Sequence, residues 1–285
     1  MDKISLKAPA KINLYLKVLG KREDGYHEIE SLMQAIDLYD EISIEKSDIL
    51  EVECDEPSLP SDDSNLALKA AVLLQRRAYF PGAKIVLKKN IPVGAGLGGG
   101  SSDAAFVIRG IGELYDINLS LEEKLELASV IGSDVPFFLS SGQAIISGRG
   151  EKISPLKLPL DYGIIVIAPP AASSTAEVYG SLKNHLTNRQ DQILLKREML
   201  SSSFYRMLKS FGNDLEETVF GDLPELEEIK KHLIRSGCIN SLMTGSGSAV
   251  FGVFRSTKTE DFKLEEEIKQ NYRVYFCRPI LLPPF

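Results

Sequence analysis

Pro92-Val93-Gly94-Ala95-Gly96-Leu97-Gly98-Gly99-Gly100-Ser101-Ser102-Asp103 is the stretch on which the reading of this chain turns. Five of the seven residues from Gly94 to Gly100 are glycine. Glycine loses the most conformational freedom on folding, so a chain that keeps this many needs left-handed backbone or very close main-chain approach. A short strand pattern, Lys84–Lys88, runs into the loop, and a helix pattern from about Ser101 to Tyr115 runs out of it. Glycines feeding a helix N-terminus gather unpaired N–H groups and the positive dipole end at one spot, which suits a phosphate. The competing interpretation is a merely flexible turn. Two familiar phosphate motifs do not fit. Gly94-x-Gly96-x-x-Gly99 has the dinucleotide spacing, but Asn90-Ile91-Pro92 separates strand from glycines and no acidic residue ends a following strand about 20 positions on. A P-loop closes on Gly-Lys-Ser/Thr, whereas here Gly100 is followed by Ser101-Ser102 with no lysine.

Upstream of the loop, strand patterns occur at Ile4–Lys7, Lys11–Leu19, His27–Ile36, Glu41–Glu45 and Leu50–Cys54. Ser64-Asn65 caps an amphipathic helix carrying Leu66, Ala70, Leu73 and Leu74. Downstream, Ser120-x-x-Glu123 is a capping box. The glycines and charges of Ser147-Gly148-Arg149-Gly150-Glu151, followed by Pro155 and Pro159, mark a boundary, so the expected domains are residues 1–152 and 153–285. Beyond it the patterns predict a strand at Tyr162–Ala168, three or four helices, and strands near Ile239–Met243 and Ala249–Phe254. A helix from Glu260 and a last strand near Tyr272–Arg278 complete the second half, in which Leu186–Phe211 carries no nameable motif. Strands and helices interleave without a steady β-α-β rhythm. The expected class is α+β, with two domains and a site between them.

Composition narrows the function. The 285 residues are 44% hydrophobic and 26% charged, as in ordinary globular proteins. No run approaches the roughly 18 apolar residues that cross a bilayer, and no secretory signal is visible at the N-terminus. The net charge of −7 disfavours a nucleic-acid binder, which needs a cationic surface. Cys54, Cys238 and Cys277 stand in no metal or redox spacing and are expected to be buried thiols in a cytosolic protein.

Three further segments carry candidate chemistry. Along Lys11–Val18, Ile12, Leu14, Leu16 and Val18 share one face, and Lys11, Asn13, Tyr15 and Lys17 the other. Lys17 fits a solvated outer face; for Lys11 and Asn13 the pattern leaves a solvated and a functional face equally open. Tyr26 can stack on a base, and neutral His27 offers one donor and one acceptor, but ordinary packing explains the pair too. In Ile131-Gly132-Ser133-Asp134-Val135-Pro136-Phe137, one carboxylate stands among apolar residues. Ser133 or Asp134 can cap a short helix, and the carboxylate, partly buried, also needs a cationic partner to stay ionised, for which Lys11 is the natural candidate; the two roles can coexist. Thr244-Gly245-Ser246-Gly247-Ser248 reads as a tight turn between two strands.

Taken together, these segments resemble the GHMP kinases, the family of galactokinase and of homoserine, mevalonate and phosphomevalonate kinases. The resemblance implies that Pro92, Val93, Gly94, Ala95, Gly96, Leu97, Gly98, Gly99, Gly100, Ser101 and Ser102 hold ATP, accompanied by Mg2+ whose protein ligands the sequence does not name. Pro9-Ala10-Lys11-Ile12-Asn13-Leu14 and Gly25-Tyr26-His27 resemble the branch acting on cytidyl diphosphate sugar alcohols. In that branch Lys11 and Asp134 would be catalytic, and Asn13, Tyr26, His27, Thr175, Tyr179, Gly245 and Ser246 would bind substrate. The implied fold pairs an N-terminal domain like ribosomal protein S5 domain 2 with a ferredoxin-like C-terminal domain. The implied partners are ATP and a small molecule, without nucleic acid or membrane, in a monomer or homodimer. A mevalonate or sugar kinase of the same family and a non-catalytic nucleotide sensor are the alternatives.

Overall fold

The structure, a computed structural model, describes residues 1–171, 173–182, 197–256, 262 and 264–283. Its first half is built on two long strands, β1 (Lys3–Lys21) and β2 (His27–Ser47), paired antiparallel along most of their length. The sequence patterns predict each as two shorter strands. They merge because the breaks are absorbed as register shifts: Asp37 and Leu38 of β2 have no partner opposite the Pro9–Ala10 junction, where proline has no N–H for the ladder. The other edge of β2 takes two partners in succession, β4 (Gly82–Lys88) along its C-terminal part and β5 (Gln143–Gly148) along its N-terminal part. β3 (Leu50–Cys54) adds to β4 in parallel, and β6 (Lys152–Pro155) adds to β5 as a hairpin. The Ser147–Glu151 segment, whose glycines and charges stand out in the sequence, forms the turn of that hairpin.

One face of this sheet is covered by α1 (Leu66–Arg77), α2 (Gly99–Tyr115), α3 (Leu121–Ile131) and the short α4 (Val135–Phe138). Asn65 caps α1 by accepting the Ala67 N–H at 3.0 Å, and Ser120 and Glu123 make the expected capping box. The alanine-rich side of α2 lets the helix lie close on Ile42, Ile44, Ile85 and Leu87 in one buried cluster.

In the second half, β7 (Gly163–Ala168), β8 (Asn240–Met243), β9 (Val250–Phe254) and β10 (Arg273–Cys277) form an antiparallel sheet in the order β10-β7-β9-β8. That is the 4-1-3-2 order of a ferredoxin-like sheet. With it go α5 (Thr175–Gly180), α6 (Arg197–Leu208), α7 (Glu216–Asp222), α8 (Glu225–Arg235) and α9 (Glu266–Asn271). Residue 260, where the sequence starts the last helix, and residues 186–196 of the motif-poor stretch lie outside the described residues. No helix among the described residues is long and apolar enough to cross a membrane.

The two halves share a core. Ile12, Leu14, Leu32 and Ile36 pack with Tyr162, Val166, Leu242 and Phe251. β1 also reaches across with its backbone, Leu16 N–H donating to Gly212 O and Val18 N–H to Asp214 Oδ2. Both faces of β1 are therefore covered, and the solvated-face alternative for Lys11 and Asn13 does not hold: they are 2% and 1% exposed.

Candidate active site

The loop from Pro92 to Gly98 leaves β4 and enters α2. Gly96 and Gly98 adopt φ of +74° and +73°, where other residues are strained. A Cβ on Gly96 would also overlap the Thr244 carbonyl oxygen, and one on Gly98 would lie 3.0 Å from Lys11 Cγ. Four consecutive loop carbonyls are tied to the scaffold. Gly94 O accepts from Ser173 N, Ala95 O from Ala249 N, Gly96 O from Lys11 Nζ at 2.8 Å, and Leu97 O from Lys11 N at 2.9 Å. Among the described residues, no amide from Gly94 to Ser101 donates to a protein acceptor outside this arrangement. Gly98 caps α2 without a side-chain bond. The helix start thus presents bare N–H groups and its positive dipole end to a cavity of about 440 Å³. Pro92 to Ser101 all line this cavity; Ser102 does not, being fully buried with a hydroxyl that has no protein partner.

Lys11 stands beside the loop, its side chain 3% exposed. Its ammonium donates to Asn13 Oδ1 at 2.7 Å and to Gly96 O, and lies 3.5 Å from Asp134 Oδ2. Asp134 directly precedes α4, with Pro136 in the first turn, yet its side chain makes no capping bond. The carboxylate faces the cavity instead. From the second half, the turn after β8 closes on the loop: Thr244 Oγ1 accepts from Asn13 N at 3.1 Å and reaches Gly96 O at 3.2 Å. Gly245 and Ser246 line the cavity, and Ser246 Oγ bonds Thr175 Oγ1 at 2.8 Å.

A second cavity, of about 690 Å³, adjoins the first. Tyr26 and His27 line it, and Asp134, Thr175 and Tyr179 line both. The His27 and Tyr179 rings lie 5.4 Å apart at 33°, and Tyr26 is half exposed beneath the Arg149 guanidinium, 5.1 Å from its ring centre. Burial, followed by the charge of Lys21, holds the His27 imidazole below its ordinary range, favouring the neutral ring. Burial, followed by the Asp134 charge, pushes the Tyr179 hydroxyl well up, so it stays protonated.

The sequence-predicted residues thus fall into two groups meeting at Asp134. Sequence reasoning misses Arg149, because its nearness to Tyr26 depends on the β5–β6 hairpin. Asn213-Asp214-Leu215-Glu216 reads in the sequence as a helix cap, and Asn213 Oδ1 does accept the Leu215 N–H at 3.0 Å; its amide also donates to Met243 O and Gly245 O and holds the second glycine turn. Asn65, Leu59, Pro60 and Leu66, on the far wall of the first cavity, register in the sequence at most as a helix start.

Amides bare at a helix tip, with a lysine–aspartate pair between the two sheets, make an arrangement suited to phosphoryl transfer. Residues 65–142 match the family model for the GHMP kinases N terminal domain, and residues 184–274 that for GHMP kinases C terminal. The chain is 41% identical over 261 residues to the 4-diphosphocytidyl-2-C-methyl-D-erythritol kinase of Acetivibrio thermocellus, covering 90% of this chain and 92% of that one. It is 39% identical over 280 residues to the enzyme of the same name from Clostridioides difficile, covering 96% and 95%. A crystal structure of 4-(cytidine 5'-diphospho)-2C-methyl-D-erythritol kinase superposes with a TM-score of 0.81 at 33% identity, over 97% of this chain and 99% of that one. A homoserine kinase from Cytophaga hutchinsonii, 18% identical with a TM-score of 0.76 over 100% and 96%, shares the fold. The chain belongs to the GHMP kinases and, within them, to the 4-diphosphocytidyl-2-C-methyl-D-erythritol kinase family.

Proposed function

We propose that this protein transfers the γ-phosphate of ATP to the 2-hydroxyl of 4-diphosphocytidyl-2-C-methyl-D-erythritol, a step of the non-mevalonate route to isoprenoid precursors, in the cytoplasm. The observation that carries the reading is the junction of two cavities at Lys11 and Asp134, with an amide cradle on one side and aromatic rings on the other. The triphosphate lies against the amides of Gly94–Ser101, and its base lies among Leu59, Pro60, Leu66 and Asn65. The cytosine lies among Tyr26, His27 and Tyr179, where a neutral histidine serves as both donor and acceptor. The half built on the first sheet, which runs through β6, holds the nucleotide, and the second half contributes Thr175, Tyr179, Gly245 and Ser246 to the substrate.

The acceptor hydroxyl reaches Asp134, which takes its proton, and the Lys11 ammonium, 3.5 Å from that carboxylate, steadies the alkoxide that develops. Phosphoryl transfer is largely loose, so alignment and charge neutralisation carry most of the acceleration. Among the described residues no three His, Cys, Asp or Glu side chains converge as a metal site. Magnesium would accompany the nucleotide and offset the charge of its phosphates.

A coupled assay of ADP release tests the reading. Turnover is expected with the cytidyl diphosphate substrate and not with mevalonate or galactose. Turnover on either of those alone, or ATP binding with no turnover on any of the three, refutes it.

A further inference from the structure

Where β2, the end of β4 and α2 meet at the glycine loop, three ionisable side chains are packed together. Lys89 follows β4, Asp40 lies in β2, and Asp103 lies one turn into α2; their side chains are 4%, 0% and 3% exposed. Lys89 Nζ donates to Oδ2 of both aspartates. Asp40 Oδ1 accepts the N–H groups of Asn90 at 2.6 Å and Ile91 at 2.8 Å. The segment entering the loop and the helix leaving it are thereby tied to one point. Lys89 and Asp103 line the nucleotide cavity, and a Cβ on Gly99 would come 3.2 Å from Asp40 Oδ2.

The charges in this cluster do not balance. One ammonium faces two carboxylates, and the remaining oxygen of Asp103, Oδ1, is buried without a hydrogen-bond partner. An ionised carboxylate so placed is under-solvated, and its surplus negative charge lies at a loop shaped for an anion. A proton on Asp103 relieves both faults.

Resting on the nucleotide reading above, we propose that Lys89, Asp40 and Asp103 form a positioning cluster that takes up a proton at Asp103 when the nucleotide phosphates settle in the loop. Burial first, opposed by the Lys89 charge and aided by Asp40, pushes Asp103 up to about 7 in the free protein. An ionised Asp103 then takes its proton from the buffer when a polyanion arrives. The other groups near the cluster do not compete. Cys54, at the end of β3, is pushed up chiefly by burial, as is Tyr275 of β10, which also feels Asp40, so both stay neutral through pH 8. Asp55 accepts the Lys89 backbone N–H at 2.8 Å from the exposed side. Because binding takes up a proton, affinity falls as pH rises above 7, by as much as about tenfold per pH unit at the one-proton limit.

The test is calorimetric titration of the full-length protein with ADP at pH 8.0 in two buffers of different ionisation enthalpy. Wild type is expected to take up most of one proton, Asp103→Asn none, and Cys54→Ser as much as wild type. In kinetics, the KM for ATP of wild type rises between pH 7.5 and 8.5 while kcat does not follow, and Asp103→Asn flattens the KM profile. Zero uptake by wild type, or uptake undiminished in Asp103→Asn, overturns the proposal while leaving the nucleotide site standing. Should Asp103→Asn not fold, the wild-type proton count at pH 8.0 decides alone. Absence of any ADP binding overturns the nucleotide reading, and this proposal with it.

Discussion

Replacing Gly96 with alanine probes the join between the two halves of the site. The position has φ +74°, where an L-residue costs about 1–2 kcal/mol. The new methyl would also meet backbone rather than side chain: the Thr244 carbonyl oxygen and, at 3.1 Å, the Gly247 nitrogen. Backbone cannot rotate out of the way, so the loop and the second glycine turn must part, an overpacking cost of about 1–3 kcal/mol. The sum is about 2–5 kcal/mol, or a fall in Tm of about 4–10 °C at roughly 2 °C per kcal/mol for a chain of this size. Gly237→Ala is the control: φ is +101°, but nothing lies within 4 Å, so only the backbone term applies. Gly96 O also accepts from Lys11 Nζ, so parting the turns displaces the ammonium, and kcat should fall in Gly96→Ala alone. Thermal unfolding and ADP release measure the two effects. If Gly96→Ala melts no lower than Gly237→Ala and retains its kcat, the close approach described here is not what shapes the loop.

Asp134→Asn should lower kcat by about 10²–10⁴, some 3–5 kcal/mol of barrier, with the KM for ATP little changed; near-full kcat in single-turnover kinetics removes Asp134 from the proton transfer. Tyr26→Ala removes one stacking face, worth about 1–3 kcal/mol per base, so the KM for the cytidyl substrate should rise about 5- to 150-fold at constant kcat. An unchanged KM places the cytosine elsewhere. Because burial lowers the His27 pKa, the neutral ring prevails above its usual value of 6.5, and the substrate KM should be flat above pH 7. It should rise only as pH falls through the lowered pKa, and His27→Gln should abolish that acid limb. A rise that persists in the variant assigns the limb to another group.

What one sequence can determine is what residue type dictates locally. Left-handed backbone needs glycine, so the loop is visible without coordinates, and so are the Ser120 capping box and the helix start at Asn65. The motif resemblance extends this legibility to Lys11, Asp134 and Tyr179, because their positions in the chain are recurrent even though their contacts are not local. Only the tertiary structure decides which of these groups meet. That Lys11 is buried rather than solvated follows from β1 being covered on both faces, which no alternation pattern along one strand can report. Arg149 comes over Tyr26 through a hairpin more than a hundred residues further along the chain, and Asp40 reaches Lys89 and Asp103 from another strand. Those contacts depend on strand register and on helix α2 seating against the sheet. Burial then sets the charge of the groups so assembled, a property that no residue possesses in isolation.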